Sequence, residues 1–337
     1  MRAVVVTRPG GPEVLQVRDV PEPSPAPGEL LVEVAAAGVN RADLLQREGR
    51  YPPPPGAPAW PGLEVSGVVT GFAAPAGAAP GSAPVDPAGV PWRVGDRVAA
   101  LLAGGGYAER VIVAGTHALR VPEAVALVDA GGLPEAVATV WSNLRAARLA
   151  PGETVLVHGG SGGVGSVAVQ VGRALGARVV ATAGGPERCA RVAALGADVV
   201  VDHRAGDVAD RLRAATDGRG VDVVLDVLGG GALGANVAAL AEGGRLVVIG
   251  LQQGRRGELD LSALMARRAS VIGTTLRDRP AAQKDAILAE VAEHVWPMLT
   301  DGRLAPVVHA RLPLAEAAEA HRLLASGDVF GKVLLEP

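Results

Sequence analysis

Apolar and polar residues follow three different rhythms along this chain of 337 residues. Up to about residue 120, short β-branched and apolar runs at 2–6, 30–36, 65–69, 97–102 and 108–113 alternate with Pro- and Gly-rich turns. That is the pattern of a β-rich, barrel-like unit. From about 124 to 275, strand-like runs at 154–158, 178–182, 198–201, 222–226, 245–250 and 270–275 alternate with helical stretches. Six such strands predict the parallel sheet of a dinucleotide-binding unit. The remainder changes rhythm again, with a helix over 280–299, a strand near 307, a helix over 314–325 and a last strand at 332–336. The chain therefore reads as α/β, divided into 1–123, 124–275 and a return segment 276–337.

The most specific signal lies after the first of the six strands. Gly160-Ser161-Gly162-Gly163-Val164-Gly165 matches G-x-G-x-x-G. Val164, Val167, Ala168, Val171 and Leu175 then fall at helical spacing and form one apolar stripe. Glycines here serve a tight turn, close backbone approach to a pyrophosphate and close helix-to-strand contact, while the helix end faces the phosphates. Cofactor identity is read from the end of the next strand. An NAD site carries an Asp or Glu there, whereas this chain has Thr182-Ala183-Gly184-Gly185-Pro186 followed by Glu187 and Arg188. A guanidinium meets a 2′-phosphate bidentately and Glu187 suits a helix dipole, so NADPH is expected over NADH. The strand ends at Asp226, Leu228 and Gly229, and at Gly250 and Leu251, lie at the carboxyl edge of the sheet, where ligands bind.

Composition narrows the partners. A hydrophobic content of 49% with 20% charged residues is that of a globular chain, and a net charge of −3 gives no basic footprint for nucleic acid. Lysine occurs only at Lys284 and Lys332, and the preference for arginine reads as coding bias. The start lacks a signal-peptide pattern, and no apolar run is long enough to span a membrane. With Cys189 as the single cysteine there is no intrachain disulfide, which is compatible with a reducing cytoplasm. Residues 73–91, rich in Pro, Ala and Gly, are expected to form a mobile surface loop, because they bury too little to offset their ordering entropy.

Distinctive motifs are spread over the whole chain: Gly38-Val39-Asn40-Arg41-Ala42-Asp43 with Arg47, Gly49 and Tyr51; Pro61-Gly62-Leu63-Glu64-Val65-Ser66-Gly67; Val94-Gly95-Asp96-Arg97-Val98; Gly105-Gly106-Tyr107-Ala108-Glu109; Leu133-Pro134-Glu135 with Thr139; and Gly331-Lys332-Val333. Together they resemble the zinc-free quinone oxidoreductase (zeta-crystallin-like) branch of the medium-chain dehydrogenase/reductase superfamily. The segments at 38–56 and 101–109 are most similar to its tumour-suppressor-inducible group. The resemblance implies a GroES-like substrate domain, a Rossmann domain and a homodimer that covers the edge strand at 271–275. It also implies hydride transfer from NADPH to a quinone. An enoyl or alkenal reductase of the same superfamily shares every motif, and a third alternative is a non-catalytic NADPH- or RNA-binding protein.

The same resemblance assigns candidate roles. Asn40 and Leu63 stand where zinc alcohol dehydrogenases place Cys and His ligands, so no metal is expected, and Glu64 is expected to hold structure by hydrogen bonding. Tyr51 is the candidate hydroxyl donor to an acceptor carbonyl, or else orders the prolines that follow it. Asn40 and Asp43 are candidates for ribose or substrate contacts, although Asp43 equally suits a helix cap. His203 replaces a tyrosine that lines the adenosine phosphate in many members. Phe330 and Gly331 match the stretch near the nicotinamide amide, and Lys332 reads as either a cofactor contact or a surface charge. His158 is expected to be structural.

Overall fold

The computed structural model describes residues 1–79, 81–206 and 208–337. These form two compact units, one of Met1–Ala138 with Leu276–Pro337 and one of Thr139–Thr275. The first opens with a hairpin of β1 (Arg2–Val6) and β2 (Leu15–Asp19). β3 (Glu29–Gly38), β4 (Glu64–Phe72), β5 (Arg97–Leu101), β6 (Arg110–Ala114) and β7 (Ala118–Arg120) follow. β3 runs antiparallel to both β4 and β6, with register shifts after Leu31 and Val34 along its β4 pairing. The helices of this stretch are α1 (Arg41–Arg47), α2 (Leu127–Ala130) and α3 (Pro134–Ala146), the last starting within the first unit. The division falls later than residue 123 because α2 is packed on the sheet. A Cβ added at Gly131, just after α2, would lie 2.7 Å from the Ala36 carbonyl oxygen.

The second unit contains β8 (Thr154–Val157), β9 (Arg178–Ala183), β10 (Val199–Asp202), β11 (Val221–Asp226), β12 (Leu240–Val248) and β13 (Ser270–Gly273). Their order in the sheet is β10-β9-β8-β11-β12-β13, and every pairing is parallel. All four residues of β8 are buried, as a central strand covered on both faces requires. The chain reverses its direction of travel across the sheet between β8 and β11, and an open α/β sheet binds ligands at such a switch point. Helices α4 (Gly163–Ala174) and α5 (Pro186–Ala194) are the first two crossovers.

The return segment supplies β14 (Val308–Pro313) and β15 (Lys332–Glu336), which extend the first unit's sheet through β15 against β3. Val333 and Leu335 join Leu30, Val65, Trp92 and Tyr107 in one core, so the end of the chain is structurally part of the first unit. Residues 73–91 run between β4 and β5, with Pro80 outside the described residues. Their second half departs from the expected mobile loop. Asp86 is buried, accepts from the Ala88 and Val90 N–H groups at 2.9 Å and pairs with Arg120 at 2.7 Å. Trp92 is 1% exposed and carries the Arg120 guanidinium 4.3 Å from its ring centroid. The Asp86 carboxylate, with the indole of Trp92 just past the segment, thus supplies burial and hydrogen bonds that the composition of 73–91 does not suggest.

Candidate active site

The loop from β8 to α4 is shaped by contacts that admit no side chain. A Cβ on Gly165 would lie 2.0 Å from the Gly159 carbonyl oxygen, and one on Gly160 would lie 3.0 Å from Ala181 and Val192. The first of these holds the opening turn of α4 against the end of β8, while Gly160, whose N–H bonds the Thr182 carbonyl at 2.9 Å, is pressed onto β9. No acidic residue stands in the first turn of α4, so its positive end is left for an anion. Ser161, Gly162, Gly163 and Val164 are half-buried around this turn. A cradle that a single methyl would fill is what a pyrophosphate needs, and these residues fit a dinucleotide.

At the end of β9 the buried Gly184 is covered by two basic side chains. A Cβ added there would meet the His203 ring at 3.0 Å and Arg204 Nε at 2.9 Å. Arg204 was not among the residues expected from the sequence. It follows β10, far from the glycine motif in sequence, and only the β9–β10 pairing brings it to Gly184. An acid is also present: Asp202 Oδ1 accepts from the Gly185 and Arg204 N–H groups, both at 2.9 Å, and these bonds hold its carboxyl below the usual range. Arg188 lies half-buried on α5. At the neighbouring strand ends the Asp226 carboxylate accepts from the Leu228 and Gly229 N–H groups at 2.8 and 2.9 Å. A Cβ on Gly229 would lie 2.9 Å from the Gly250 oxygen and 3.0 Å from Leu251 Cα, so those two turns abut. Leu251 is exposed. Buried His158 bonds Asn236 and Thr182, and burial lowers its pKa, so it is a neutral bridge within the sheet unit.

In the first unit, Asn40 and Lys332 meet over Glu64. The Lys332 ammonium contacts Glu64 Oε1 and bonds Asn40 Oδ1 at 2.7 Å, while the Asn40 amide donates to Glu64 Oε1 at 2.9 Å. Glu64 is 0% exposed and Lys332 6%, which corrects the expectation of a surface charge for Lys332. Its ammonium is committed to an internal ion pair. Asp43 is also 0% exposed. It forms a capping box with Asn40 at the start of α1 and accepts from the Gly62 N–H at 2.9 Å and from Tyr107 Oη at 3.2 Å. Those bonds leave Asp43 no surface for ribose or substrate. Burial raises its pKa to about 6, against the lowering effect of the Gly62 and Asn40 N–H groups. Tyr107 further bonds His321, whose pKa is driven down to about 3 by burial and by Arg47.

Tyr51 lies half-buried beside residues the sequence did not single out. Its hydroxyl is 3.4 Å from Asp278 Oδ2, and the Arg277 guanidinium sits 5.1 Å from its ring centroid. Arg277 is 3% exposed and held by Gln46 Oε1 at 2.6 Å and the Ala103 carbonyl at 2.8 Å. Burial and then the Asp278 charge push the Tyr51 hydroxyl up to about 12. It therefore stays protonated at any physiological pH and is kept as a hydrogen-bond donor. Phe330 and Gly331 belong to the same unit, with Phe330 buried and Gly331 at φ +88°, its Cβ position 2.1 Å from the Val307 oxygen.

Comparison with known proteins agrees with this layout. The family model for zinc-binding dehydrogenases matches residues 163–293, and that for the alcohol dehydrogenase GroES-like domain matches residues 26–123. Quinone oxidoreductase from Homo sapiens is 32% identical over 341 residues, covering 99% of this chain and 97% of that protein. The solved structure of Escherichia coli quinone oxidoreductase complexed with NADPH is 29% identical with a TM-score of 0.83, over 100% of both chains. The CurK enoyl reductase is 25% identical with a TM-score of 0.83, over 99% of this chain and 98% of that one. Fold and site together define a medium-chain dehydrogenase/reductase. Within that superfamily the chain belongs to the quinone oxidoreductase branch.

Proposed function

We propose that the protein is an NADPH-dependent oxidoreductase that passes hydride to a quinone without a metal ion. The observation that carries this reading is the pair His203 and Arg204 closed over Gly184, with the one nearby acid, Asp202, taken up by the Gly185 and Arg204 N–H groups. Residues 160–165 would hold the pyrophosphate, and Arg204 with Arg188 would meet a 2′-phosphate. NADPH is the cofactor seen with the Escherichia coli relative. When bound, it supplies the hydride. Zinc does not fit the residues present: Leu63 is apolar and buried, and Asn40 is engaged by a lysine ammonium that would repel a cation. A homodimer paired along β13, whose Val271 is 39% exposed, would cover that sheet edge. The CurK likeness favours one second reading, reduction of an activated C=C bond. NADPH oxidation across quinones, enals and enoyl thioesters decides between them, and no turnover with any quinone would overturn the first.

Two expectations follow for named residues. The enzyme should prefer NADPH over NADH in kcat/KM, and Arg204→Ala or Arg188→Ala should cost roughly tenfold to a hundredfold for NADPH with little effect on NADH. Equal loss for both cofactors would remove the arginines from 2′-phosphate recognition. Tyr51→Phe should lower kcat by about tenfold while leaving NADPH affinity unchanged, since the hydroxyl acts on charge that develops at the acceptor oxygen. A variant with wild-type kcat on several quinones would reduce Tyr51 to packing around its prolines.

A further inference from the structure

Beside Tyr51 the first unit buries a cation that it does not neutralise. The Arg277 guanidinium bonds Gln46 Oε1 on α1 at 2.6 Å, the Ala103 carbonyl at 2.8 Å and the Tyr51 carbonyl at 3.4 Å. All three acceptors are uncharged. Lys332, by contrast, is paired with Glu64, whereas among the described residues no carboxylate pairs with Arg277. At 3% exposure an uncompensated charge is costly, so its retention calls for a use. The segments around it are rigid. A Cβ on Gly62 would lie 2.5 Å from Gly106 Cα, and one on Gly105 would lie 2.7 Å from Pro58 Cγ. Trp60 Nε1 donates to the Gly105 carbonyl at 3.0 Å, and Gln46 Nε2 to the Ala59 carbonyl at 2.8 Å. The guanidinium is therefore fixed in place, 5.1 Å from the Tyr51 ring centroid and within cation–π range. Asp278, at the Tyr51 hydroxyl, carries the opposite charge but is exposed, so water screens it as it does not screen Arg277.

Resting on the reading that Tyr51 polarises the acceptor oxygen, we propose that Arg277 is a positioning residue of the reaction, whose uncompensated charge holds and polarises the Tyr51 ring so that its hydroxyl donates more strongly to the reduced acceptor. A cation close to a phenol draws electron density from its oxygen. The O–H group then becomes a better donor as negative charge builds on its partner. A buried charge acts more strongly than one in water, and a clamped one needs no reorganisation when the hydride arrives. Neutral acceptors are what this role requires, because they satisfy the guanidinium N–H groups without cancelling the charge. A carboxylate in place of the Gln46 amide would hold the guanidinium at least as well and quench its field.

The test is NADPH oxidation, with naphthoquinone and with an enal, by wild type, Arg277→Lys and Arg277→Gln, each with Tyr51 intact and combined with Tyr51→Phe. Lysine keeps the charge and loses the fork, while glutamine keeps a hydrogen-bonding amide and loses the charge. Arg277→Gln should lower kcat by about fivefold, since it cannot cost more than removing the hydroxyl outright, and Arg277→Lys by no more than about twofold. NADPH affinity should not change in either. Combined with Tyr51→Phe, Arg277→Gln should cost less than about twofold further, because the group it acts through is gone. Where Tyr51→Phe is slow, equal losses for Lys and Gln, or a Gln loss that persists without the hydroxyl, overturn the charge role and leave the reading of Tyr51 intact. Tyr51→Phe at the wild-type rate overturns both, as does a wild type that turns over neither acceptor. Turnover of the enal alone overturns the quinone, and the same comparison is then decided on the enal. Should the Arg277 variants fail to fold, Gln46→Glu carries the test from the other side of the contact. A fall in kcat of about threefold that disappears with Tyr51→Phe supports the assignment. An unchanged kcat, or a fall that persists, overturns it.

Discussion

Gly165→Ala is expected to weaken NADPH binding by about a hundredfold or more while leaving the sheet unit folded. The added methyl would lie 2.0 Å from the Gly159 carbonyl oxygen and 2.8 Å from its carbon, and both are backbone atoms that no rotamer change can move. Relief requires α4 to draw away from the end of β8, which opens the cradle at 160–165. Overpacking of this kind costs about 1–3 kcal/mol or more, and each 1.4 kcal/mol is about tenfold in affinity. Gly234→Ala is the matched control. That glycine lies in the helix Leu233–Ala239, where an added Cβ meets nothing within 4 Å, and alanine there should leave NADPH affinity unchanged. Titration of NADPH fluorescence measures both variants. Gly165→Ala binding within about threefold of wild type would remove this contact from the basis of cofactor binding.

The elements legible in the sequence are those whose signal is local. Alternation of β-branched runs with amphipathic helices located all six strands of the parallel sheet, because each central strand, buried on both faces, must be continuously apolar. The glycine motif was legible for a similar reason: it sits within one strand-turn-helix unit. Strand β2 was missed because only its first residue is buried, which leaves no alternation to read. The polar part of the candidate site was hidden for another reason. Arg204 reaches Gly184 through strand pairing, and Arg277 reaches Gln46 and Tyr51 across more than two hundred residues. Glu135 shows itself as a buried carboxyl only once α3 is placed beside Glu64. Lysine usage is the plainest case. The scarcity of lysine looked like coding bias, yet both lysines of the chain are buried. At such sites a compact ammonium with a flexible stem fits where a planar guanidinium does not.

Lys332→Met should destabilise the protein by about 3–5 kcal/mol, the largest stability effect expected of a single polar side chain here. Glu64 is 0% exposed, and without the ammonium its carboxylate keeps, among the described residues, only the Asn40 amide and the Glu135 N–H as donors. A buried charge left uncompensated costs far more than the intact pair contributes, so the double variant Lys332→Met with Glu64→Gln should recover much of the loss. Gln keeps the shape and one acceptor for those donors while removing the charge. Unfolding by urea of the wild type, both single variants and the double variant closes a cycle whose coupling energy isolates the pair. A double variant no more stable than Lys332→Met alone would show that Lys332 acts by packing its stem and not by its charge.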